Sequence, residues 1–226
     1  KTALVTGGGS GIGRATADVL AREGAAVVVA DLDIESARRV VDGITQGGGR
    51  AEAVRLDVAS EDAWRGVMAG TLDRHGRLDI LVNNAGTTTF VAHPDLEGLS
   101  NEDWDRILGV NLKGPFFMAR AAKEALDASG EGVIVNVSSV AGVRGIGSSI
   151  PYCASKAALI NLTVTLARAM APNVRVNCVA PGFITGRWLK GGFGDMYDTI
   201  KESNEKRSPL GKVCDRDDVA DAIMAF

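Results

Sequence analysis

Tyr152 and Lys156 place a phenol and an ammonium group four residues apart in the stretch Ile150-Pro-Tyr-Cys-Ala-Ser-Lys156. On a helix, residues i and i+4 project from one face, so the ammonium can lie near the phenol oxygen. Such a pair could transfer a proton, although a phenol with a reference pKa of about 10 needs about 4 kcal/mol of preferential phenolate stabilisation to act as a base at neutral pH. Because such helix pairs are common, this pair taken alone favours a structural role.

A glycine-rich stretch, Thr6-Gly-Gly-Gly-Ser-Gly-Ile-Gly13, stands between a predicted strand and a predicted helix. Glycines let the backbone turn tightly and approach an anion, while the free N–H groups at a helix N-terminus favour phosphate. Asp31 ends the next apolar run, 18 residues after Gly13, where a carboxylate can accept ribose hydroxyls and repel a 2′-phosphate. The pattern predicts a dinucleotide site that prefers NAD over NADP; a tight turn and a capping aspartate are the structural alternatives.

Short apolar runs that alternate with helix-length amphipathic segments provide the scaffold for these residues. Near-continuous apolarity is typical of parallel strands covered on both faces. We therefore predict one doubly wound, Rossmann-type α/β domain over residues 1–226, with helices on both faces of the sheet and ligands beyond the carboxyl ends of the strands. The predicted strands cover 2–6, 25–31, 51–57, 78–83, 132–138 and 174–179, and the predicted helices cover 12–22, 34–43, 61–75, 101–127 and 152–170.

Composition narrows the class of protein. The chain has 226 residues, 46% hydrophobic and 23% charged, and a formal net charge of -3 without a cluster of basic residues, so we expect neither nucleic acid nor membrane as a partner. Three scattered cysteines and two histidines predict no metal site and no disulfide framework, which favours a cytoplasmic location. No uncharged apolar run approaches the roughly 18 residues of a membrane span. We expect both termini to lack residues.

Several motifs in sequence order resemble the classical short-chain dehydrogenase/reductase family. They are TGGGSGIG at 6–13, NNAG at 83–86, Asn111 in VNLKG, Ser139 in VNVSSVAG, Tyr152 and Lys156 in YCASK, and Pro181-Gly182. Their order and spacing agree over essentially the whole chain. The resemblance implies an oxidoreductase that transfers hydride reversibly between NAD(H) and a secondary alcohol or ketone.

The resemblance also implies catalytic roles. Tyr152 would be the general acid/base, and Lys156 would lower its pKa and hold the nicotinamide ribose. Ser139 would donate to the substrate oxygen, and the adjacent Ser138 would take no part. Asn111 would order a water that completes a proton relay; from the residues alone, a helix-interior amide satisfying a nearby backbone group is the alternative.

The implied cofactor contacts lie at five strand ends. Asn83 could equally lock the sheet, and the family's usual threonine position in the last motif is occupied by Gly186, with Thr185 one place earlier. The predicted cofactor-binding residues are Gly7, Ser10, Gly11, Ile12, Gly13, Asp31, Leu32, Asp57, Val58, Asn83, Ala85, Gly86, Tyr152, Lys156, Pro181, Gly182, Ile184 and Thr185.

The substrate stays open beyond a small-molecule alcohol or ketone. Its pocket walls are predicted at 87–90, 143–150 and 183–197, where apolar and aromatic residues accompany Arg144 and Arg187. The resemblance implies a homo-oligomer, commonly a tetramer, built on the helices of Asn111 and Tyr152 with a C-terminal strand that this sequence lacks. A non-catalytic NAD(H)-responsive binding protein and a scaffolding subunit are the alternatives from other functional classes.

Two further residues have predicted roles outside catalysis. His75 lies among charges at a helix end and is expected to be a solvated cap. Cys153 adjoins Tyr152, but consecutive helical residues face different directions, so it is expected to pack in the core.

Overall fold

Six parallel strands form one sheet in a computed structural model that describes residues 1–226. The strand order is β3-β2-β1-β4-β5-β6, so the chain reverses direction across the sheet between β1 and β4. In such sheets, ligands bind beyond the carboxyl ends of the strands at this switch point. The predicted doubly wound fold is confirmed. The strands are β1 (Thr2–Thr6), β2 (Ala26–Asp31), β3 (Arg50–Arg55), β4 (Ile80–Asn83), β5 (Gly132–Val137) and β6 (Val174–Val179).

Helices cover both faces of the sheet, which explains the continuous apolarity of its strands. Along β2, Val28 packs into the core on one face, while Val27 and Val29 pack into the core on the other. Successive side chains of a strand point to opposite faces of the sheet. When helices cover both faces, the side chains on both faces must therefore be apolar. The helices are α1 (Gly11–Arg22), α2 (Ile34–Gln46), α3 (Glu61–His75), α4 (Asn101–Leu108), α5 (Gly114–Ser129), α6 (Ala141–Arg144), α7 (Ile150–Met170), α8 (Arg187–Phe193), α9 (Tyr197–Arg207) and α10 (Arg216–Met224).

The predicted long helix at 101–127 is interrupted by a π-helical turn, Gly109–Lys113, between α4 and α5. Proline lacks an N–H, so Pro115 cannot bond to the carbonyl of Asn111 four residues earlier. Such wide turns occur often at functional sites. The turn places Asn111 at a fully buried position facing the end of β4.

A chain of buried amide and hydroxyl groups joins the sheet to α7. Asn83 on β4 donates from Nδ2 to Oδ1 of Asn136 on β5 at 2.9 Å. Asn136 donates in turn to the hydroxyl of Thr163 at 2.9 Å, and Thr163 donates to the carbonyl of Leu159. Because each polar group has a partner, these hydrogen bonds fix α7 against β4 and β5 without an unpaired group.

Helix α7 is long and apolar enough to cross a membrane, by length and composition alone. The helix contains Lys156 and Arg168, so it is not an uncharged run of the kind that the sequence expectation excluded. Inside the fold, Leu166 and Met170 of this helix pack in the same core as Val174 and Val176 of β6. Core packing accounts for the apolarity of α7.

Candidate active site

Two hydrogen bonds, which we call the β5–α7 clamp, join the end of β5 to α7. Lys156 donates from Nζ to the carbonyl of Val137 at 2.8 Å, and Ser138 donates from Oγ to the carbonyl of Lys156 at 2.8 Å. All four groups are buried. Ser138 also donates its N–H to Val179 at the end of β6. The clamp therefore fixes the helix face that carries Lys156 against two strand ends.

Tyr152 lies one turn before Lys156 and is also buried. Burial raises the pKa of its phenol to about 12, and a hydrogen bond from Ser139 opposes this rise. Ser139, two residues beyond the end of β5, accepts a hydrogen bond from the N–H of Ala141 at 3.1 Å. The strand end and the helix therefore bring the predicted pair of Tyr152 and Ser139 together.

Burial lowers the pKa of the Lys156 ammonium to about 8. Its Nζ lies 5.8 Å from the centre of the Tyr152 ring. The lowering of the Tyr152 pKa by Lys156 stays a prediction; in this structure the ammonium is directed at the Val137 carbonyl. Burial has the largest effect on the Tyr152 pKa and raises it. The Ser139 hydrogen bond has the next largest effect and lowers the pKa, and the neighbouring Cys153 raises it slightly.

Asn111 links the loop after β4 to α7. Its Oδ1 accepts the N–H of Thr87 at 2.8 Å, while its Nδ2 donates to the carbonyl of Thr87 at 2.9 Å and to the hydroxyl of Ser155 at 3.0 Å. Ser155 donates to the carbonyl of Tyr152 at 2.7 Å. This is the backbone-satisfying arrangement that the sequence left as an alternative; the water-ordering role stays a prediction.

The glycine-rich loop packs too tightly for any larger side chain at Gly13. A Cβ on Gly13 would stand 2.1 Å from the carbonyl oxygen of Gly7. Gly7 itself has a φ of 63°, in the left-handed region that favours glycine. Asn84 holds the loop by donating from Nδ2 to the carbonyls of Thr6 and Gly7 at 3.1 and 3.0 Å. The loop is therefore fixed against the end of β4.

The first turn of α1 follows this loop. Ser10 is its N-cap but makes no side-chain capping bond, and the turn contains no acidic side chain. With Gly11, Ile12 and Gly13, it presents N–H groups and the positive end of the helix dipole. These residues fit a phosphate group.

Asp31 stands at the end of β2 beside the loop. Its carboxylate accepts the N–H of Gly9 at 2.9 Å and that of Asp33 at 3.0 Å. A Cβ on Gly9 would come within 2.9 Å of this carboxylate, so the glycine permits the contact. The adjacent Leu32 is exposed. The carboxylate is thus held in place and still has lone pairs for a ribose.

The other predicted adenosine-side residues are Asp57 and Val58, which follow β3, and Asn83, which ends β4. Asp57 follows β3, is exposed and accepts the N–H of Ala59, while Val58 is buried against Gly114. The side chain of Asn83 points to Asn136, which is the sheet-locking alternative.

Beyond β4, the predicted contacts come close to the candidate catalytic residues. Ala85 donates its N–H to the hydroxyl of Thr6 at 3.1 Å. At Gly86, a Cβ would stand 3.5 Å from Oδ1 of Asn111 and 3.6 Å from Nζ of Lys156. The loop after β4 therefore connects the glycine-rich loop to the Lys156 side chain.

The predicted nicotinamide-side residues follow β6. The Pro181 carbonyl accepts the N–H of Val140, and Gly182 is exposed. Ile184 forms an isolated parallel bridge with Cys214, and Thr185 donates its N–H to the Cys214 carbonyl. These bonds hold the segment beside the loop that contains Ser139.

Four aromatic rings pack together in the predicted pocket walls. Phe90 meets Phe193 edge-on at 5.3 Å between ring centres, and Phe183 packs against Phe193 and Tyr197 at 6.5 and 5.7 Å. A Cβ on Gly192 would stand 2.0 Å from the Phe90 ring. This aromatic cluster attaches α8 and the start of α9 to the loop after β4.

Trp188 on α8 meets Tyr152 edge-on at 6.1 Å between ring centres, with 52% of the tryptophan exposed. Arg144 and Arg187 are both exposed. Sequence placed all three in the pocket walls but gave no signal for the contact between the rings.

Some contacts had no sequence signal, and one expectation was wrong. Asn84, Ser155 and Gly192 were not singled out, because their roles depend on partners distant in sequence. His75 is not a solvated cap: it is partly buried, and its Nε2 lies 3.0 Å from Glu52. Cys153 is buried as expected.

A family model described as short chain dehydrogenase matches residues 1–191. The chain is 42% identical over 226 residues to a Streptomyces violaceoruber protein named as ketoacyl reductase 2 of the granaticin polyketide synthase, covering 99% of this chain and 88% of that protein. It is 42% identical over 185 residues to the cyclopentanol dehydrogenase of a Comamonas species, covering 81% and 73%. The solved structure of an NAD+-bound xylitol dehydrogenase, 30% identical, superposes with a TM-score of 0.91 over 99% of this chain and 90% of that one.

We expect Gly13→Ala to lower the free energy of unfolding by about 2 kcal/mol or more, because its Cβ must displace backbone. Gly43→Ala is the matched control: this exposed glycine of α2 has open space around its Cβ, so alanine should stabilise the helix by up to ~1 kcal/mol. Urea unfolding followed by circular dichroism measures both. A Gly13→Ala protein as stable as the parent would contradict the packing of the loop.

Proposed function

The chain belongs to the short-chain dehydrogenase/reductase family, and we propose that it oxidises a secondary alcohol and reduces the corresponding ketone with NAD(H), using Tyr152 as the general acid/base. Oxidoreductase chemistry on CH–OH groups is common to the named dehydrogenase relatives. One observation carries the rest: Ser139, Tyr152 and Lys156 converge at the end of β5, near the fixed glycine-rich loop.

The proposed proton transfer takes place at the phenol oxygen of Tyr152. In ketone reduction the phenol gives its proton to the carbonyl oxygen, and in alcohol oxidation the phenolate takes the hydroxyl proton. Ser139 donates to the same substrate oxygen and stabilises its negative charge. Lowering the Tyr152 pKa from about 12 to neutrality requires roughly 7 kcal/mol of preferential phenolate stabilisation.

The residues of the chain fit a dinucleotide. Ser10, Gly11, Ile12 and Gly13 would hold the pyrophosphate with N–H groups at the start of α1. Lys156 would hold the ribose near Tyr152, since it is the cation at that position. When bound, the nicotinamide would supply the hydride acceptor or donor.

Preference for NAD is supported by the charge at the adenosine end. The Asp31 carboxylate is held by the N–H groups of Gly9 and Asp33, so it cannot easily move from an incoming phosphate. A 2′-phosphate beside it would be repelled. The similar xylitol dehydrogenase structure contains NAD+.

We expect Tyr152→Phe to lower kcat by at least about 100-fold, because the proton donor is lost, while the affinity for NADH stays nearly unchanged. Tyr197→Phe is the matched control, since Tyr197 is the other tyrosine of the chain, is also buried, and packs against Phe183. NADH absorbance follows turnover, and NADH fluorescence measures binding. Normal turnover by Tyr152→Phe would exclude the tyrosine as the acid/base.

We expect Asp31→Asn and Asp31→Ala both to lower the ratio of kcat/KM with NAD to kcat/KM with NADP by about tenfold or more, because both remove the repelling charge. Asp31→Asn keeps an acceptor for Gly9 and so separates charge from loop geometry. Asp42→Ala on α2 removes an exposed charge elsewhere and should leave the ratio unchanged. An unchanged ratio in both Asp31 variants would remove this residue from the ribose site.

A further inference from the structure

We propose that the site selects secondary alcohols and ketones with an apolar, alicyclic carbon skeleton and discriminates against polyols, with Trp188 as the specificity-determining residue. The inference rests on the proposed function and narrows its substrate. It follows from two features of the predicted pocket walls: the hydroxyl groups of the segments 87–90 and 143–150 are already bonded within the protein, and a half-exposed apolar ring adjoins the phenol.

The first wall is the loop after β4, whose outer hydroxyls are bonded to α4. Arg106 donates to the hydroxyls of Thr87 and Thr89, each at 2.6 Å. The Thr89 hydroxyl donates in turn to Asp103, which also pairs with Arg106 at 3.0 Å. A fixed guanidinium and carboxylate therefore engage two of the three threonines.

The third threonine bonds across to the second wall, the loop between Ser139 and Tyr152. The hydroxyl of Thr88 lies 2.6 Å from that of Ser148 and 3.4 Å from that of Ser149. The two walls are joined again where Val91 donates its N–H to the Ser148 carbonyl at 2.9 Å. All five wall hydroxyls from Thr87 to Thr89 and at 148 and 149 thus already have protein partners.

These two walls border the candidate catalytic residues. A Cβ on Gly86, next to Thr87, would stand 3.6 Å from Nζ of Lys156. A Cβ on Gly147, next to Ser148, would stand 3.4 Å from Cδ1 of Tyr152. A substrate that reaches the phenol therefore passes between walls that offer few unengaged hydroxyls.

Trp188 supplies the apolar contact. Its ring meets the Tyr152 ring edge-on, and half of its surface is exposed. The aromatic cluster holds α8 in place through Phe193 and Phe90, so the position of Trp188 does not depend on a bound substrate. Large aromatic surfaces favour apolar ligand groups, and a preformed position lowers the cost of binding.

Polyols and cyclic alcohols should respond to these walls in opposite ways. Each extra hydroxyl of a polyol loses hydrogen bonds to water on binding, and the two walls, whose hydroxyls are already bonded within the protein, replace few of them. A ring with one hydroxyl presents that hydroxyl to Tyr152 and Ser139 and its methylenes to Trp188. Apolar contacts of this size discriminate between substrates by about 10- to 200-fold.

The test compares kcat/KM for cyclohexanol and xylitol with NAD, together with reduction of ethyl acetoacetate with NADH, in the complete chain. We expect cyclohexanol to exceed xylitol by about tenfold or more. Xylitol equal to or better than cyclohexanol would overturn the substrate class and leave the proposed function intact. NADH binding without turnover of any of the three compounds would contradict the proposed function itself.

Variants test the role of Trp188 directly. We expect Trp188→Ala to lower kcat/KM for cyclohexanol by about tenfold, chiefly through KM, with an unchanged NADH affinity, and Trp188→Phe to restore most of it. Leu96→Ala removes an exposed apolar side chain outside the wall segments 87–90 and 143–150 and outside α7, and should change neither. An equal proportional loss for cyclohexanol and xylitol in Trp188→Ala would exclude Trp188 as the specificity determinant.

Discussion

The β5–α7 clamp is the constraint on which the site depends. The Lys156 ammonium bonds to the carbonyl of Val137, and the Ser138 hydroxyl bonds to the carbonyl of Lys156. One bond runs from α7 to the end of β5 and the other runs back from the end of β5 to α7. Rotation or sliding of α7 relative to β5 would therefore leave a buried polar group unpaired. Tyr152 is one turn away on the same helix, and Ser139 directly follows Ser138, so their mutual geometry follows from the clamp.

Burial shifts the pKa values of the two titratable side chains that the clamp positions. Removing a phenol and an ammonium from water disfavours the charged form of each, which raises the pKa of Tyr152 to about 12 and lowers that of Lys156 to about 8. The cofactor-free protein therefore holds a protonated phenol, suited to donate. Accepting a proton requires positive charge close to the phenol oxygen, and the oxidised cofactor in the proposed reaction carries such a charge. In the proposed reaction, this requirement would couple catalysis to cofactor binding.

The fold could be predicted because the side chains of strands and helices repeat at regular sequence intervals. The consecutive apolar residues Val27 to Val29 predict a strand covered on both faces, and the four-residue spacing of Tyr152 and Lys156 places both on one face of α7. The π-helical turn at Asn111 could not, since it depends on Pro115 and on contacts with Thr87 and no regular period encodes it. The direction of the Lys156 ammonium could not be predicted from the sequence either, because it is set by the Val137 carbonyl, 19 residues earlier in the chain.

The most direct test is an ultraviolet titration of the Tyr152 phenol with and without NAD+, using Tyr152→Phe as the blank, which leaves Tyr197 as the remaining tyrosine. Because the folded-state pKa is raised, the free protein should form little Tyr152 phenolate at a pH of about 10, where an ordinary tyrosine is half ionised. NAD+ should then shift this ionisation to lower pH. Half ionisation at or below a pH of about 10 in the free protein, or a titration that NAD+ leaves unmoved, would contradict the account.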